Sequence, residues 1–283
     1  MAIFTNQAQL TYRDTVTNSN IAVGEILEVL SVSKTAVSSE YGANDTITYI
    51  VSIINSGGTN ISNLTLSDNL GAYEFGEGTL VPLVYTAGTI RYYINGVLQP
   101  SPAVTSVGDL TVTGISVPAN GNATIVYEVS TNEFAPLALG STITNIASVS
   151  GTGIGPVSDS EIITALSGPN LTITKSISPV PVSDNGIITY TFVIQNTGNT
   201  PVVATDNAFV TDLFNPALTN VSATFNGAPW TEGTDYNYNE STGLFESIAG
   251  SITVPEATFV QNPITGAWSV TPGTSTIIVT GTI

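Results

Sequence analysis

The sequence predicts an all-β protein built as two tandem β-sandwiches, the second lacking its last strand. Three observations predict it. Thr, Val, Ile, Ser, Gly and Asn dominate and long Leu–Glu–Lys stretches are absent, which favours strands and turns over helices. Short alternating apolar runs follow one another along the chain, separated by Gly, Asn and Pro signals. The chain also repeats itself: SVSKTAVSSEYGANDTITYIVSIINSGGTNISNLTLSDNL is restated as TITKSISPVPVSDNGIITYTFVIQNTGNTPVVATDNAFVTDLF.

The elements follow in order. In FTNQAQLTY, Phe4, Asn6, Ala8, Leu10 and Tyr12 make a largely apolar face and Thr5, Gln7, Gln9 and Thr11 a polar one, as expected of a strand covering a core. Residues 1–15 are assigned to this strand, and residues 16–30 to a linker that is flexible or partly paired. The first domain, 31–152, opens with the strand of Lys34. A polar turn leads to TITYIVSIIN, then a Gly-bearing turn and a strand ending at Asp68. RYYINGVLQP reads as a hairpin, because Asn95 and Gly96 both tolerate the positive φ of a tight turn. ISVPANGNATIVYEVST gives a strand, a turn and a strand, and TNIASV gives one more. After a linker, 153–169, the second domain, 170–283, repeats the order with Lys175, IITYTFVIQN, Asp212, an Asn226-Gly227 hairpin and WSVTPGTSTIIVTGTI. At about 115 residues each, the domains have the size of immunoglobulin-like sandwiches.

The second domain shows no counterpart of TNIASV. That counterpart stands at the start of the chain, where Thr5-Asn6-Gln7-Ala8 aligns with Thr144-Asn145-Ile146-Ala147 and Ile21 to Leu27 with Ser160 to Leu166. The repeat is therefore out of phase with the domains.

Charge and composition exclude several classes of function. Four basic residues against 21 acidic ones leave a net charge of −17, so a phosphate backbone or an anionic membrane is not the expected partner. No apolar run is long enough to insert across a bilayer. The charge is instead suited to keeping a polymer soluble. With no Cys and no His there are no disulfides, no Cys/His zinc sites and no imidazole base, and no phosphate loop or dinucleotide fingerprint appears. MAIFTNQAQLTYRD has neither a basic region nor a long apolar one, so no signal peptide is visible.

In their order, Lys34, Asn44-Asp45-Thr46-Ile47-Thr48-Tyr49, Asn55, Asp68 and Thr144-Asn145-Ile146-Ala147-Ser148-Val149 resemble the motifs of the Ig-like conserved-repeat domain of bacterial surface proteins, catalogued as domain of unknown function eleven. The resemblance spans nearly the whole chain, counting the displaced strand. The second domain departs from it, with Asp184-Asn185-Gly186 in its turn and no final strand of its own. The resemblance implies an immunoglobulin-like protein of the bacterial cell surface or spore surface.

A sandwich short of one strand exposes unpaired backbone groups beside an open core. A neighbour's strand can fill it by β-strand addition. Such donation runs head to tail without closing, so it builds a filament. The expectation is an extracellular fibre subunit whose partner is itself, as a homopolymer, and which is not an enzyme. The alternative is an adhesin fragment that presents loops to a glycan or a protein.

The two lysines of the chain carry the chemistry. A buried ε-amine loses its charge more readily, and a buried carboxylic acid keeps its proton. An Asp can then hydrogen-bond a neighbouring carboxamide and shuttle the proton. Held in contact with that carboxamide, the amine attacks it, leaving a Lys–Asn isopeptide bond and ammonia. Crosslinks of this kind are known from other Ig-like surface and pilus domains, which this arrangement resembles. Two triads are expected: Lys34, Asp68 and Asn145 within the first domain, and Lys175 and Asp212 with Asn6 of the adjacent subunit. Other signals are weak. No cofactor is implied; Asp235, Asn237, Asn239 and Glu240 could gather at a calcium ion, but they lack EF-hand order. Trp230, Trp268, Tyr236 and Tyr238 could line a glycan face, but core or edge packing is the favoured account of them.

Overall fold

The computed structural model describes residues 2–26 and 29–283. The chain opens with β1 (Ala2–Asn6), β2 (Gln9–Tyr12), β3 (Thr15–Asn18) and β4 (Ala22–Ile26). These pair with one another, β1 with β4 and β2 with β3, as one antiparallel hairpin turning at Arg13-Asp14. A bulge in the returning arm separates its halves, with Gln7 and Ala8 facing three residues, Ser19 to Ile21. Ser19 holds the bulge, its Oγ accepting from the Ala8 N–H at 2.9 Å and its N–H donating to the Ala8 carbonyl at 2.8 Å. Residues 4–23 are all exposed. Of the segment read as a linker, 16–30, residues 16–26 are thus the returning arm of a hairpin, and residues 27 and 28 lie outside the described residues.

The first domain contains β5 (Leu30–Ala36), β6 (Glu40–Tyr41), β7 (Thr46–Asn55) and β8 (Ile61–Asp68). The short strands β9 (Tyr73–Phe75), β10 (Gly78–Leu80), β11 (Leu83–Tyr85), β12 (Arg91–Ile94), β13 (Val97–Gln99) and β14 (Ala103–Thr105) follow. Long strands β15 (Leu110–Val117), β16 (Gly121–Thr131), β17 (Thr142–Gly151) and β18 (Ile154–Ala165) complete it. One sheet has the order β13-β12-β16-β7-β5 and the facing sheet β14-β15-β8-β17-β18-β6. Alternate residues of β7 and β16, among them Tyr49, Val51, Ile125 and Tyr127, meet Leu64, Leu66, Ala147 and Val149 in a fully buried core. The stretch expected as a linker at 153–169 is mostly β18, paired along β17.

The second domain consists of β19 (Leu171–Ser178), β20 (Ile187–Asn196), β21 (Thr211–Leu213), β22 (Thr219–Phe225), β23 (Ala228–Trp230), β24 (Tyr236–Asn239), β25 (Leu244–Ser247), β26 (Thr258–Gln261), β27 (Trp268–Thr271) and β28 (Gly273–Thr282). Its main sheet runs β19-β20-β28-β22-β23, faced by β21-β25-β24. Ile188, Phe192, Ile277 and Val279 pack there against Phe214 and Phe245. The two Asn-Gly hairpin turns form as the sequence predicts, with positive φ at Asn95, Gly96, Asn226 and Gly227.

The domains differ where the repeat is out of phase. In the first, β17 lies beside β8, with Ala147 opposite Asp68, and β18 continues the sheet. In the second, β21 pairs with β25 on one edge, and among the described residues nothing pairs with its other edge. All eight residues of β19 are exposed. A groove of about 170 Å³ lies between β19 and the segment that leads into β21, lined by Leu171, Ile173, Ile194, Phe209, Val210 and Ile252.

Candidate functional site: two lysine centres

β5 places Lys34 opposite Val51 of β7, pointing into the core with its side chain fully buried. Its Nζ donates to Asp68 Oδ2 and, at 3.1 Å, to the Tyr127 hydroxyl. The Tyr127 hydroxyl donates to the same carboxylate oxygen. The Leu70 N–H donates to the other carboxylate oxygen, Oδ1, at 2.9 Å. The amine also sits 4.5 Å from the centroid of the Tyr49 ring. Burial lowers the Lys34 amine to about 8, against the opposing pull of Asp68. Burial likewise pushes the Tyr127 hydroxyl up, as does the Asp68 charge beside it.

Asn145 comes from β17, two residues before Ala147 on the same inward face, and is fully buried. The Gly71 N–H donates to its Oδ1 at 3.2 Å, while its Nδ2 has no hydrogen-bond partner. A buried donor without a partner is unusual in a folded protein. Here it is the amide nitrogen that would leave if the carbonyl carbon were attacked. Lys34, Asp68 and Asn145 therefore share one buried centre, together with Tyr49, Tyr127 and the Gly71 N–H. From outside, Asp159 of β18 pins the lysine strand by accepting the Lys34 backbone N–H at 2.8 Å.

The second centre repeats half of this. Lys175 on β19 lies opposite Phe192 and pairs with Asp212 of β21. The Tyr190 ring, at the place of Tyr49, is 4.5 Å from its Nζ, and the Phe214 ring is 5.2 Å away. The centre is open: the Lys175 side chain is 39% exposed and that of Asp212 is 19% exposed. Val279, opposite Tyr190, stands where Tyr127 stands opposite Tyr49. Within the chain Asn6 is not at this centre. It lies on β1 opposite Ala22 and is exposed, as are Phe4, Ala8, Leu10 and Tyr12.

Sequence reasoning missed Tyr127, Gly71 and Asp159. The signal for Tyr127 is concealed because the repeat has Val279 at the matching position. Among the described residues no group of three or more His, Cys, Asp or Glu is placed to hold a metal. Asp235 and Asn239 instead serve their own turns, accepting the N–H groups of Thr231 at 2.7 Å and Ser241 at 3.0 Å. The aromatic residues pack: Trp230 stacks on Phe225, Tyr236 on Phe245, and the Tyr238 hydroxyl is tied to Leu218. No described helix is long and apolar enough to cross a membrane.

No protein-family model and no curated protein matches the chain, so the motif likeness to the conserved-repeat domain remains a resemblance. Among solved structures it is similar to the pilus backbone protein of Streptococcus pneumoniae, at 13% identity and a TM-score of 0.33 over 86% of this chain, and spans 55% of that protein's length. It is similar to the major pilin subunit of Bacillus cereus at 11% identity and a TM-score of 0.36, covering 96% of this chain and 73% of that one. For the 35 kDa C-terminal fragment of a major pilin of Streptococcus agalactiae the values are 10% and 0.34, covering 86% and 91%. These likenesses are too distant to carry pairing or chemistry from one protein to another.

Proposed function

We propose that this chain is the structural subunit of an extracellular bacterial filament, assembled head to tail by strand donation and locked by Lys–Asn isopeptide bonds. One observation carries the reading. The two lysine centres are built alike, but one is covered by β17 with its Asn145 and the other is open, while the chain's own N-terminus carries the motif of β17 on an exposed strand. In the filament, Phe4, Asn6, Ala8, Leu10 and Tyr12 of one copy enter the second domain of the next. Leu10, matching Val149, fills the groove at Val210, and Asn6 reaches Lys175.

The chemistry is the same at both centres. The lysine amine, deprotonated beside its Asp, attacks the Asn carboxamide carbon. At the first centre the Gly71 N–H takes up the charge that develops on the oxygen. The Asp returns the proton to the departing nitrogen, the C–N bond to it breaks, and ammonia leaves. Each bond forms once, so the Asp residues act in a single turnover. The Lys34–Asn145 bond ties the first domain internally, and the Lys175–Asn6 bond joins neighbouring subunits.

The test is electrophoresis of the full chain after boiling in SDS, beside Lys34→Ala and Lys175→Ala. Wild type and Lys34→Ala are expected to give a ladder and Lys175→Ala a single band, with intact mass short by one ammonia per bond. A wild-type monomer at full mass would remove the covalent part of the proposal. Absence of filaments by electron microscopy would remove the rest.

A further inference from the structure

Strand donation as proposed uses residues 2–12 alone. The paired N-terminus carries the inference further, resting on that reading. Asn6 lies opposite Ala22, and Asn145 lies opposite Glu161. The two pairs are displaced along the sequence by the same number of residues, and the match continues through Phe4 opposite Gly24 and Ile143 opposite Ile163. Both hairpins close over two residues, Tyr12 opposite Thr15 and Gly151 opposite Ile154, each with one register shift, between Asn6 and Gln9 in the N-terminal hairpin and between Val149 and Gly151 in β17–β18. The N-terminal element thus has the arm lengths of the β17–β18 hairpin and its pairing around the Asn, already folded in the free subunit, and differs in where its bulge falls.

In the first domain the second arm of that hairpin has its own task. β18 lies over the lysine strand, and its Asp159 takes the Lys34 N–H. In the second domain β19 is bare along its full length, and among the described residues no side chain accepts the Lys175 N–H. We infer that the donated unit is the whole hairpin, residues 2–26, and that its returning arm lies over β19 of the acceptor and makes Lys175 reactive by burying it. Asn20 matches Asp159 in sequence and lies in the bulge of the free hairpin; on docking, the bulge brings its carboxamide oxygen to accept the Lys175 N–H. The inward face of the returning arm is otherwise small, with Ala22 and Gly24. The Phe4 ring lies against Gly24, where any Cβ would run into it. Phe4 and Gly24 together take the place of Ile143 and Ile163, one large and one minimal residue for two of middle size. The covalent step then follows docking, because a solvated ammonium does not attack an amide.

Amide exchange of wild-type filaments, compared with an Ala8→Asp monomer whose new carboxylate would face Asp212, tests this directly. Exchange across 171–178 is expected to slow about tenfold or more in filaments, together with that of 211–213. Slowing at 211–213 alone would overturn the hairpin and leave single-strand donation standing. Slowing at neither would overturn both. A full-chain Asn20→Arg variant gives a second readout, since it leaves Phe4 and the rest of the first arm unchanged and puts a side chain that cannot accept a hydrogen bond where the Lys175 N–H needs an acceptor. Loss of the SDS ladder is expected. A ladder that forms at the wild-type rate would mean that the first arm docks alone.

Discussion

Lys34 shares one buried carboxylate with Tyr127, and its protonation sets the pH behaviour of the unreacted first domain. Its folded value, about 8, lies below its ordinary 10.5, so between these the folded state holds fewer protons than the unfolded chain. Stability rises with pH wherever the unfolded state binds more protons. The Tyr127 hydroxyl is pushed above its ordinary 10.0, so beyond that pH the folded state keeps a proton the unfolded chain loses and stability falls again. Asn145→Ala, which cannot form the bond, is expected to melt at a higher temperature near pH 9 than near pH 7. Calorimetry of the two conditions checks it, and a flat profile would mean that Lys34 keeps its charge in the fold. Tyr127→Phe removes a donor to the buried Asp68 carboxylate and should lower stability by about 1–3 kcal/mol in urea titration. At the second centre, where Val279 already lacks the hydroxyl, no such contribution exists to lose.

At the scale of elements, the turns after β7 and β20 explain why the repeat was visible in the sequence. Asn55 ends β7 fully buried, its Nδ2 donating to the carbonyls of Thr59 at 2.8 Å and Pro118 at 2.9 Å while its Oδ1 accepts the Gly57 N–H at 2.9 Å. Asn196 does the same after β20, with Thr200, Pro255 and Gly198. One carboxamide replaces the backbone pairing that each turn gives up. Asn55→Ala leaves those groups unpaired and is expected to destabilise the first domain by about 2–3 kcal/mol in denaturant unfolding. The lysine strands, the Asn-Gly hairpins and both Asp positions were legible for the same kind of reason, since each depends on a residue type that few others can replace. β18 was not. Its Asp159 and Glu161 alternate on the half-buried face, and in a sequence such polar residues signal a linker. The returning arm at 15–26 was misread likewise, because Asn18, Asn20, Ala22 and Gly24 offer no apolar stripe. Lys34, Asp68 and Asn145 were singled out together from the repeat and lie in one buried centre, whereas Tyr127 was hidden by comparing the copies.

At the scale of the molecule, the stiffness of the proposed filament is decided at its joints. Within one chain the domains are clamped by Asn199, whose Nδ2 donates to the carbonyls of Leu137 and Leu166, each at 3.0 Å, and whose Oδ1 accepts the Gly168 N–H at 3.2 Å. The Trp268 backbone N–H adds a bond to the Glu133 carbonyl at 2.8 Å, and the Gln261 Nε2 donates to the Tyr73 hydroxyl at 3.1 Å. Under the proposed head-to-tail assembly, each subunit's first domain would meet its neighbour's second domain as the second meets the first within a chain. At that junction the position of Asn199 falls to Gly58, the residue directly after the Asn55-Ser56-Gly57 start of the equivalent turn, with no side chain to form the clamp. Stiff joints within subunits should therefore alternate with looser joints between them. Class averages of filaments are expected to show a wider spread of bend angles at every second joint. Asn199→Gly should widen the narrow joints until the alternation disappears. Gly58→Asn should narrow the wide ones, since a Cβ at Gly58 meets nothing within 4 Å. Equal spreads at all joints of the wild-type filament would mean that burial of the donated hairpin, rather than the asparagine clamp, sets the stiffness of the chain.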